Sequence, residues 1–186
     1  MASLGNFVVT YGLLAGVFLV LMWALYNKHK TAKKRIFAFL VSRYMAPSLV
    51  KKLHVFKQKL FSDMNTMVSC DPRLKTQGQG MIRVLEIGVG SGTNLEYYTS
   101  GCKLISVEPN PYFETHFKKN REQFCHVEVE QFVTAMAENM AEIPDKSVDA
   151  VVSTHVLCSV TDIMGALHEI KRVLVPVSSK NKKKYL

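Results

Sequence analysis

A short apolar run that leads directly into three alternating glycines is the most constraining feature of this sequence. Residues 84–94 read VLEIGVGSGTN, with glycine at positions 88, 90 and 92. Glycine lets the backbone turn tightly and approach a ligand with no Cβ in between. In open α/β folds, the loop after the first strand is where a nucleotide-like cofactor binds. The sequence therefore predicts an α/β domain built around this loop.

Three further apolar segments follow the glycine loop and are predicted as strands: CKLISVE, HVEVEQF and SVDAVVSTHVL. The connecting segments TNLEYYTSG, PYFETHFKKNREQF and AENMAEIPDKS are interpreted as crossover helices, and residues 161–174 as a helix capped by Thr161 or Asp162. Strands joined by crossover helices form a parallel sheet. We expect a Rossmann-like, doubly wound, mostly parallel α/β sheet with four strands over residues 81–176.

The spacing of the glycines selects the class of cofactor. A dinucleotide fingerprint, G-x-G-x-x-G, would put its third glycine at Thr93, whereas this sequence has it one position earlier, at Gly92. Glu86 precedes the loop; a carboxylate there repels a pyrophosphate and suits a ligand that carries ammonium and sulfonium groups. Glu108, at the end of the second strand, is placed to accept hydrogen bonds from ribose hydroxyls. Glu108 fits either class of cofactor, whereas Thr93 at the position of the third glycine and Glu86 before the loop disfavour an NAD-dependent oxidoreductase.

The N-terminal segment is apolar over a length that matters for membranes. Residues 7–26 contain no charged side chain, and roughly 20 apolar residues suffice for a helix to cross a bilayer. No basic region precedes the run, and Trp23 and Leu25 stand where a signal peptide would have small residues before its cleavage site. The sequence therefore predicts an uncleaved membrane anchor over residues 1–27 rather than a signal peptide.

The positive charge is concentrated beside that apolar run. The chain carries a formal net charge of +9, and residues 27–76 hold 12 Lys and Arg against two Asp. A nucleic-acid-binding protein would carry the excess on its folded domain, so no nucleic-acid partner is expected. Basic residues next to a membrane helix mark the cytoplasmic side and attract anionic lipid. Residues 28–80 are predicted as a basic juxtamembrane or amphipathic helical segment and linker, with the domain facing the cytosol.

Two features of the basic segment are interpreted more finely. The apolar stretch at residues 36–45 is expected to end at Pro47. From Leu49 onward, apolar residues recur at helical spacing, which fits either a helix packed on the domain or one that lies on a membrane surface. We favour packing near Phe61 and leave the earlier turns open. The four cysteines show no metal-like spacing, so free thiols and no metal site are expected.

Several segments together resemble one enzyme family. VLEIGVGSGTN, VEPNPYFE, AENM and VDAVVSTHVLCSV…LHEIKRVL are similar to class I S-adenosylmethionine-dependent methyltransferases. The segments KQKLFSD, EPNP and VLCSV more closely resemble the membrane-associated thiol S-methyltransferases of the methyltransferase-like group. The resemblance covers about residues 55–174. It implies S-adenosylmethionine as cofactor, a small alkyl thiol as methyl acceptor, and a membrane lipid surface at the endoplasmic reticulum or the lipid droplet as location.

The resemblance also implies roles for individual positions. It places at the cofactor the residues Glu86, Gly88, Gly90, Gly92, Glu108, Pro109, Asn110, Ala137, Glu138 and Thr154. In the family, the acidic residue and the glycines of the loop surround the methionine portion, the second strand end holds the ribose, and the segment after the third strand contacts adenine.

The end of the fourth strand faces the acceptor in that family. Thr154 and His155 would lie near the transferred methyl group, and His155 is the candidate base for a thiol acceptor. Cys158 is interpreted as a packed core thiol, because the methyl group passes directly from cofactor to acceptor. Asp149 opens the fourth strand on the opposite side from the cofactor and is interpreted as structural.

The sequence departs from the family after the fourth strand and its helix. Where relatives continue from RVLRPGG into a fifth strand, this chain reads RVLVPVSSKNKKKYL, and residues 177–186 are predicted as a basic disordered tail. We expect a C-terminally truncated domain whose fourth strand forms an exposed edge, which favours self-association. The alternative function is therefore a catalytically inactive, membrane-anchored protein that binds cofactor or an interaction partner.

Overall fold

The computed structural model describes the backbone of residues 2–176 and the side chains of residue 16 and residues 18–176. It consists of two compact units, Met1–Phe37 and Ala38–Leu186. The tail predicted at residues 177–186 lies outside the described residues.

The N-terminal part of the chain is helical. Helix α1 spans Ala2–Leu40, a π-helical turn follows at Val41–Met45, and helix α2 spans Ala46–Phe61. The prediction that Pro47 ends the helical stretch is wrong. Pro47 lies in the first turn of α2, where a missing N–H is tolerated. The π turn at Val41–Met45 connects α1 to α2.

In the described part of the chain, no helix is both long and apolar enough to cross a membrane. This finding does not support the anchor predicted at residues 1–27. The side chains of its first 15 residues lie outside the description.

The sheet has four parallel strands in the order β3-β2-β1-β4. Their bounds are Arg83–Ile87 for β1, Lys103–Val107 for β2, Glu128–Val133 for β3 and Ala150–Ser153 for β4. All three strand pairings are parallel. The predicted parallel α/β sheet is confirmed, and each strand lies within the predicted segment or ends one residue beyond it.

Of the connecting segments, one forms the expected helix and two do not. Helix α4 spans Phe113–Arg121, whereas TNLEYYTSG contains a single 3₁₀ turn at Leu95–Tyr97. The segment AENMAEIPDKS is a loop, because the guanidinium of Arg172 donates hydrogen bonds to the carbonyl oxygens of Met140 (2.9 Å) and Ile143 (2.8 Å). These side-chain bonds satisfy backbone groups that a helix would otherwise pair. The α-helices predicted for TNLEYYTSG and AENMAEIPDKS are both wrong.

The elements outside the sheet pack on its two faces. Helix α5, Ile163–Val173, contributes Ala166, Ile170 and Val173 to the core of one face. Its N-cap is Asp162, which accepts a hydrogen bond from the Gly165 N–H at 3.0 Å, as predicted. On the other face, Phe61 from the end of α2 packs against the ring of Tyr98, with ring centroids 5.2 Å apart. This contact places the last turn of α2 on the domain, as favoured from the sequence.

The start of β4 is fixed by a buried carboxylate. Asp149 accepts hydrogen bonds from the Ser69 hydroxyl (2.6 Å) and from the backbone N–H groups of Cys70 (2.8 Å) and Arg83 (2.9 Å). The structural role predicted for Asp149 is therefore confirmed. The short helix α3, Pro72–Lys75, follows directly after this junction.

Strand β4 lies at one edge of the sheet among the described residues. The chain beyond α5 runs back beside its beginning, and the Val175 N–H donates to the carbonyl oxygen of Val148 at 3.0 Å. The side chains of Val151 and Val152 are buried. Self-association through this edge stays a prediction.

Candidate functional site

The glycine loop begins at the carboxyl end of β1. Its backbone has a conformation that residues with a side chain rarely adopt. Gly88, Gly90 and Gly92 have φ values of +66°, +53° and +81°. The loop is tied to β2 by a hydrogen bond of 2.7 Å from the Gly88 N–H to the carbonyl oxygen of Val107. The three glycines that define the sequence motif are therefore required by the backbone path of the loop.

Substituting alanine at Gly88 should destabilise the fold. A Cβ at this position would lie 2.2 Å from Cγ2 of Val156, whereas a Cβ at Gly90 would meet nothing closer than 4.0 Å. Both glycines have a positive φ, so Gly90→Ala is a matched control for backbone strain. We expect Gly88→Ala to lower the free energy of unfolding in urea by about 1–3 kcal/mol more than Gly90→Ala does. Equal losses would contradict the packing argument.

Glu86 is the buried acid of the site. It is 1% exposed, and its two carboxylate oxygens accept hydrogen bonds from Asn94 Nδ2 (2.8 Å) and the Tyr98 hydroxyl (2.6 Å). Burial raises the pKa of Glu86 to about 7, although these two bonds oppose the shift. At neutral pH the carboxyl group is therefore poised between its protonated and ionised forms.

Asn94 connects Glu86 to the end of β4. Its Nδ2 also donates to Thr154 Oγ1 at 2.9 Å, so the carboxyl ends of β1 and β4 share one polar cluster. Its Oδ1 is buried and accepts no hydrogen bond from the described residues. A buried acceptor without a donor is costly. An ammonium group beside Glu86 would satisfy Oδ1 and the carboxylate together, which fits the methionine portion of the predicted cofactor.

Lys57 is a residue of this cluster that the sequence interpretation missed. It lies on α2, is 5% exposed, and its Nζ donates to the Thr93 carbonyl oxygen (3.3 Å) and hydroxyl (3.2 Å). Burial lowers the pKa of Lys57, and its charge in turn opposes the rise in the pKa of Glu86. The signal in the sequence is its spacing, since Lys57 lies four residues from both Leu53 and Phe61 on the apolar face of the helix.

Removing the charge of Lys57 should shift the pH dependence of cofactor binding. In Lys57→Met the pKa of Glu86 moves up, so a smaller fraction of its carboxyl groups is ionised at neutral pH. We expect binding of S-adenosylmethionine at pH 7 to weaken by about tenfold and to recover at higher pH. The exposed Lys59 on the same helix provides the control, Lys59→Met. A uniform loss at all pH values would contradict the electrostatic role.

Glu108 forms the second acidic position, at the end of β2. Its carboxylate is buried and accepts hydrogen bonds from the backbone N–H groups of Gly90 and Asn110, both at 3.0 Å. Burial raises the pKa of Glu108 and these two bonds oppose the rise. Each oxygen keeps a second lone pair, so both can also accept from the hydroxyls of a ribose. The structure thus brings the predicted ribose-binding residue into contact with the glycine loop.

The residues around Glu108 shape its turn. Asn110 is buried, and its Oδ1 accepts a hydrogen bond from the Tyr112 N–H at 3.2 Å. Pro109 is exposed. Both follow the strand end directly, and their contact with cofactor stays a prediction.

The segment after β3 is held by the start of α5. Ala137 is buried in the core, and Glu138 accepts hydrogen bonds from the backbone N–H groups of Thr161 (2.6 Å) and Asp162 (3.2 Å). Oε2 of Glu138 is buried and has no partner among the described residues. Glu138 therefore fixes its own segment to the loop before α5, and the predicted adenine contact of Ala137 and Glu138 stays a prediction.

The residues after β4 form an exposed turn. His155 is exposed and has a φ of +58°, a conformation that histidine, asparagine and aspartate adopt more readily than most residues do. Cys158 is exposed as well, so the prediction of a packed core thiol is wrong. The reason is that Cys158 lies in the loop between β4 and α5, from which Val156 and Val160 pack against the core instead.

The Methyltransferase domain family matches residues 85–178 of the chain. The chain belongs to the methyltransferase family. The resemblance predicted from the glycine loop and the strand ends is therefore confirmed, and the family's cofactor is S-adenosylmethionine.

Named thiol S-methyltransferases are similar to this chain in sequence. The mouse thiol S-methyltransferase TMT1B is 36% identical over 143 residues, which cover 77% of this chain and 55% of the relative. The human thiol S-methyltransferase TMT1A is 38% identical over 120 residues, which cover 64% of this chain and 46% of the relative. The methyltransferase thus spans about half the length of the relatives it matches.

Solved structures show the same fold. A methyltransferase of Haloferax volcanii, in complex with the Trm112 methyltransferase activator, superposes with a TM-score of 0.58 at 19% identity. That match covers 75% of this chain and 56% of the other. An S-adenosylmethionine-dependent methyltransferase of Methanococcus maripaludis gives a TM-score of 0.53 at 14% identity, with 78% and 59% covered. These likenesses establish the fold of the methyltransferase.

Proposed function

We propose that this methyltransferase transfers the methyl group of S-adenosylmethionine to the sulfur of a small thiol. The observation that carries the proposal is the polar cluster at the ends of β1 and β4. There the buried carboxylate of Glu86 and the unpartnered Oδ1 of Asn94 belong to one hydrogen-bonded cluster, and both are acceptors of the kind that an ammonium group needs. The names of the relatives, both thiol S-methyltransferases, support the class of acceptor.

Different side chains of the site would bind different parts of the cofactor. Glu86 and Asn94 would accept hydrogen bonds from the ammonium group, and Glu108 would accept them from the ribose hydroxyls. When bound, the cofactor supplies a methyl group on a sulfonium sulfur, which is open to direct displacement. The protein then has to hold an acceptor sulfur in line with that methyl group, and such positioning alone lowers a barrier by several kcal/mol. The family match favours this activity over an inactive interaction protein.

A thiol acceptor must lose its proton before it attacks. With a pKa near 8.5, only a few per cent of an ordinary thiol is ionised at neutral pH. His155 follows Thr154 at the end of β4, and Thr154 Oγ1 accepts from Asn94 in the cofactor cluster. We propose His155 as the base, because it follows Thr154 directly in the chain and its side chain is exposed to solvent.

The substitution His155→Asn tests this role. Asparagine adopts the same positive φ, so the turn should be kept while the base is lost. We expect kcat/KM for a small alkyl thiol at pH 7 to fall by about a hundredfold, with unchanged affinity for S-adenosylmethionine. The loss should shrink as the pH approaches the pKa of the thiol. His168→Asn, on the exposed side of α5, is the control; a pH–rate profile unchanged in His155→Asn would contradict the role of base.

We further propose that the N-terminal segment associates with a lipid surface, at the endoplasmic reticulum or the lipid droplet with the domain facing the cytosol. The supporting observations are the exposed apolar side chains of α1, which include Phe18, Trp23 and Tyr26, and the absence of acidic residues before Asp63 in the sequence. Flotation of the chain with vesicles tests this proposal. Vesicles with anionic lipid should carry more protein to the top of the gradient than neutral vesicles do. If the protein floats with neither kind of vesicle, the proposed association with lipid is contradicted.

A further inference from the structure

A cavity lies beside the glycine loop, within the unit Ala38–Leu186. Its volume is about 570 Å³, and its walls come from the end of α1, the π turn, α2, α4 and residues 91–93 of the loop. We name it the rear cavity. Gly92 is the one residue it shares with the positions predicted to bind cofactor, so the rear cavity is distinct from the cluster of Glu86 and Glu108. Its volume falls within the range of about 300–1,000 Å³ that is typical of small-molecule sites.

The rear cavity is positively charged. Arg43 from the π turn, Lys51 from α2 and Lys119 from α4 converge on it from three different elements. No salt bridge among the described residues involves any of these three cations. Glu96 is the one carboxylate among the described residues that line the cavity. The site therefore suits an anionic group.

The lining also includes an apolar portion and a buried hydroxyl. Phe39, Val50 and Phe124 contribute apolar surface. The Oγ of Ser42 also belongs to the lining, is buried, and has no hydrogen-bond partner among the described residues. Ser42 lies in the π turn, and such turns are rare and frequently occur at functional sites. A bare inorganic anion would leave the apolar surface without a partner.

We propose that the rear cavity binds an anionic amphiphile with a single acyl chain. Arg43, Lys51 and Lys119 hold its carboxylate or phosphate head, and its chain lies against Phe39, Val50 and Phe124. Charge complementarity selects the head, and the burial of apolar surface favours the chain. Asn120 lies in the same wall and donates through Nδ2 to the carbonyl oxygens of Ser91 and Gly92, both at 3.0 Å, so the wall includes the back of the cofactor loop.

The test is displacement of a fluorescent fatty acid from the full chain by four unlabelled compounds. These are oleate, lysophosphatidate, the uncharged monooleoylglycerol and inorganic phosphate, each below its own micelle concentration where it has one. We expect oleate and lysophosphatidate to displace the probe at least tenfold more strongly than monooleoylglycerol does. Inorganic phosphate should not displace it. Equal displacement by the uncharged lipid, or displacement by phosphate alone, would overturn the proposal.

Matched variants locate the site. Lys51→Glu and Lys119→Glu reverse charges in the lining, whereas Lys52→Glu and Lys118→Glu reverse the neighbouring charges outside it. The first pair should weaken binding of oleate by at least about tenfold each, and the second pair should leave it unchanged. Circular dichroism checks that each variant is folded. If all four variants weaken binding equally, the amphiphile is held by general surface charge and the rear cavity is not its site. Binding of S-adenosylmethionine by the same variants reports separately on the cofactor site.

Discussion

Replacing Glu86 with glutamine should stabilise the cofactor-free protein at neutral pH by roughly 3 kcal/mol. Burial raises the pKa of Glu86 from 4.5 to about 7 in the folded chain. Between these two values the folded protein holds a proton that the unfolded chain has released, so the stability contributed by the protonated form is present below pH 4.5 and lost as the pH rises through 7. Glutamine has no such proton, and its amide can accept from Asn94 and donate to the Tyr98 oxygen.

Urea unfolding from pH 4.5 to 9 measures this effect. The free energy of unfolding of the wild-type chain should fall with pH across the window relative to that of Glu86→Gln, and the two curves should become parallel above pH 8. Glu122→Gln, at an exposed position, is the control and should follow the wild type. Parallel curves for the wild type and Glu86→Gln across the whole window would contradict the buried, proton-binding state of Glu86.

Replacing Glu108 with glutamine should weaken binding of S-adenosylmethionine by a hundredfold or more. The carboxylate accepts backbone N–H bonds from Gly90 and Asn110 at 3.0 Å, so it joins the glycine loop to the turn after β2. An amide presents an NH₂ group to one of those N–H groups, and this loses a bond to a charged acceptor that contributes about 1.5–3 kcal/mol. Because this NH₂ group replaces a carboxylate oxygen, the variant also has one acceptor fewer for the ribose hydroxyls.

Calorimetric titration with S-adenosylmethionine and with 5′-methylthioadenosine checks this prediction. Both ligands carry the ribose, so Glu108→Gln should weaken both by a similar factor. Glu86→Gln should affect S-adenosylmethionine far more, because 5′-methylthioadenosine lacks the ammonium and sulfonium groups. Unchanged affinity of Glu108→Gln for both ligands would contradict its position at the ribose.

The features that could be predicted from the sequence are those fixed by local pattern. Strands β1, β2 and β4 are short apolar runs whose side chains are almost all buried, so their parallel pairing followed from the alternation of elements. The Asp162 cap also depends on a neighbour in the sequence, because it accepts from the Gly165 N–H. The glycine loop could be predicted for the same reason, because its positive φ values require glycine.

The features that could not be predicted depend on contacts between distant residues. The segment AENMAEIPDKS forms a loop because Arg172, on α5, donates hydrogen bonds to two of its carbonyl oxygens. Lys57 reaches the site through a contact 36 residues along the chain, with Thr93. Local patterns carry none of this information.

We expect the glycine loop with Glu86 to bind S-adenosylmethionine through an ionised carboxylate. Calorimetric titration of the full chain at pH 6.5, in two buffers of different ionisation enthalpy, measures the protons released on binding. The wild-type chain should bind at one site and release a proton that Glu86→Gln does not, because the cationic ligand favours the ionised form of a group with a pKa of about 7. Absence of binding, or the same proton release in Glu86→Gln, would contradict the claim.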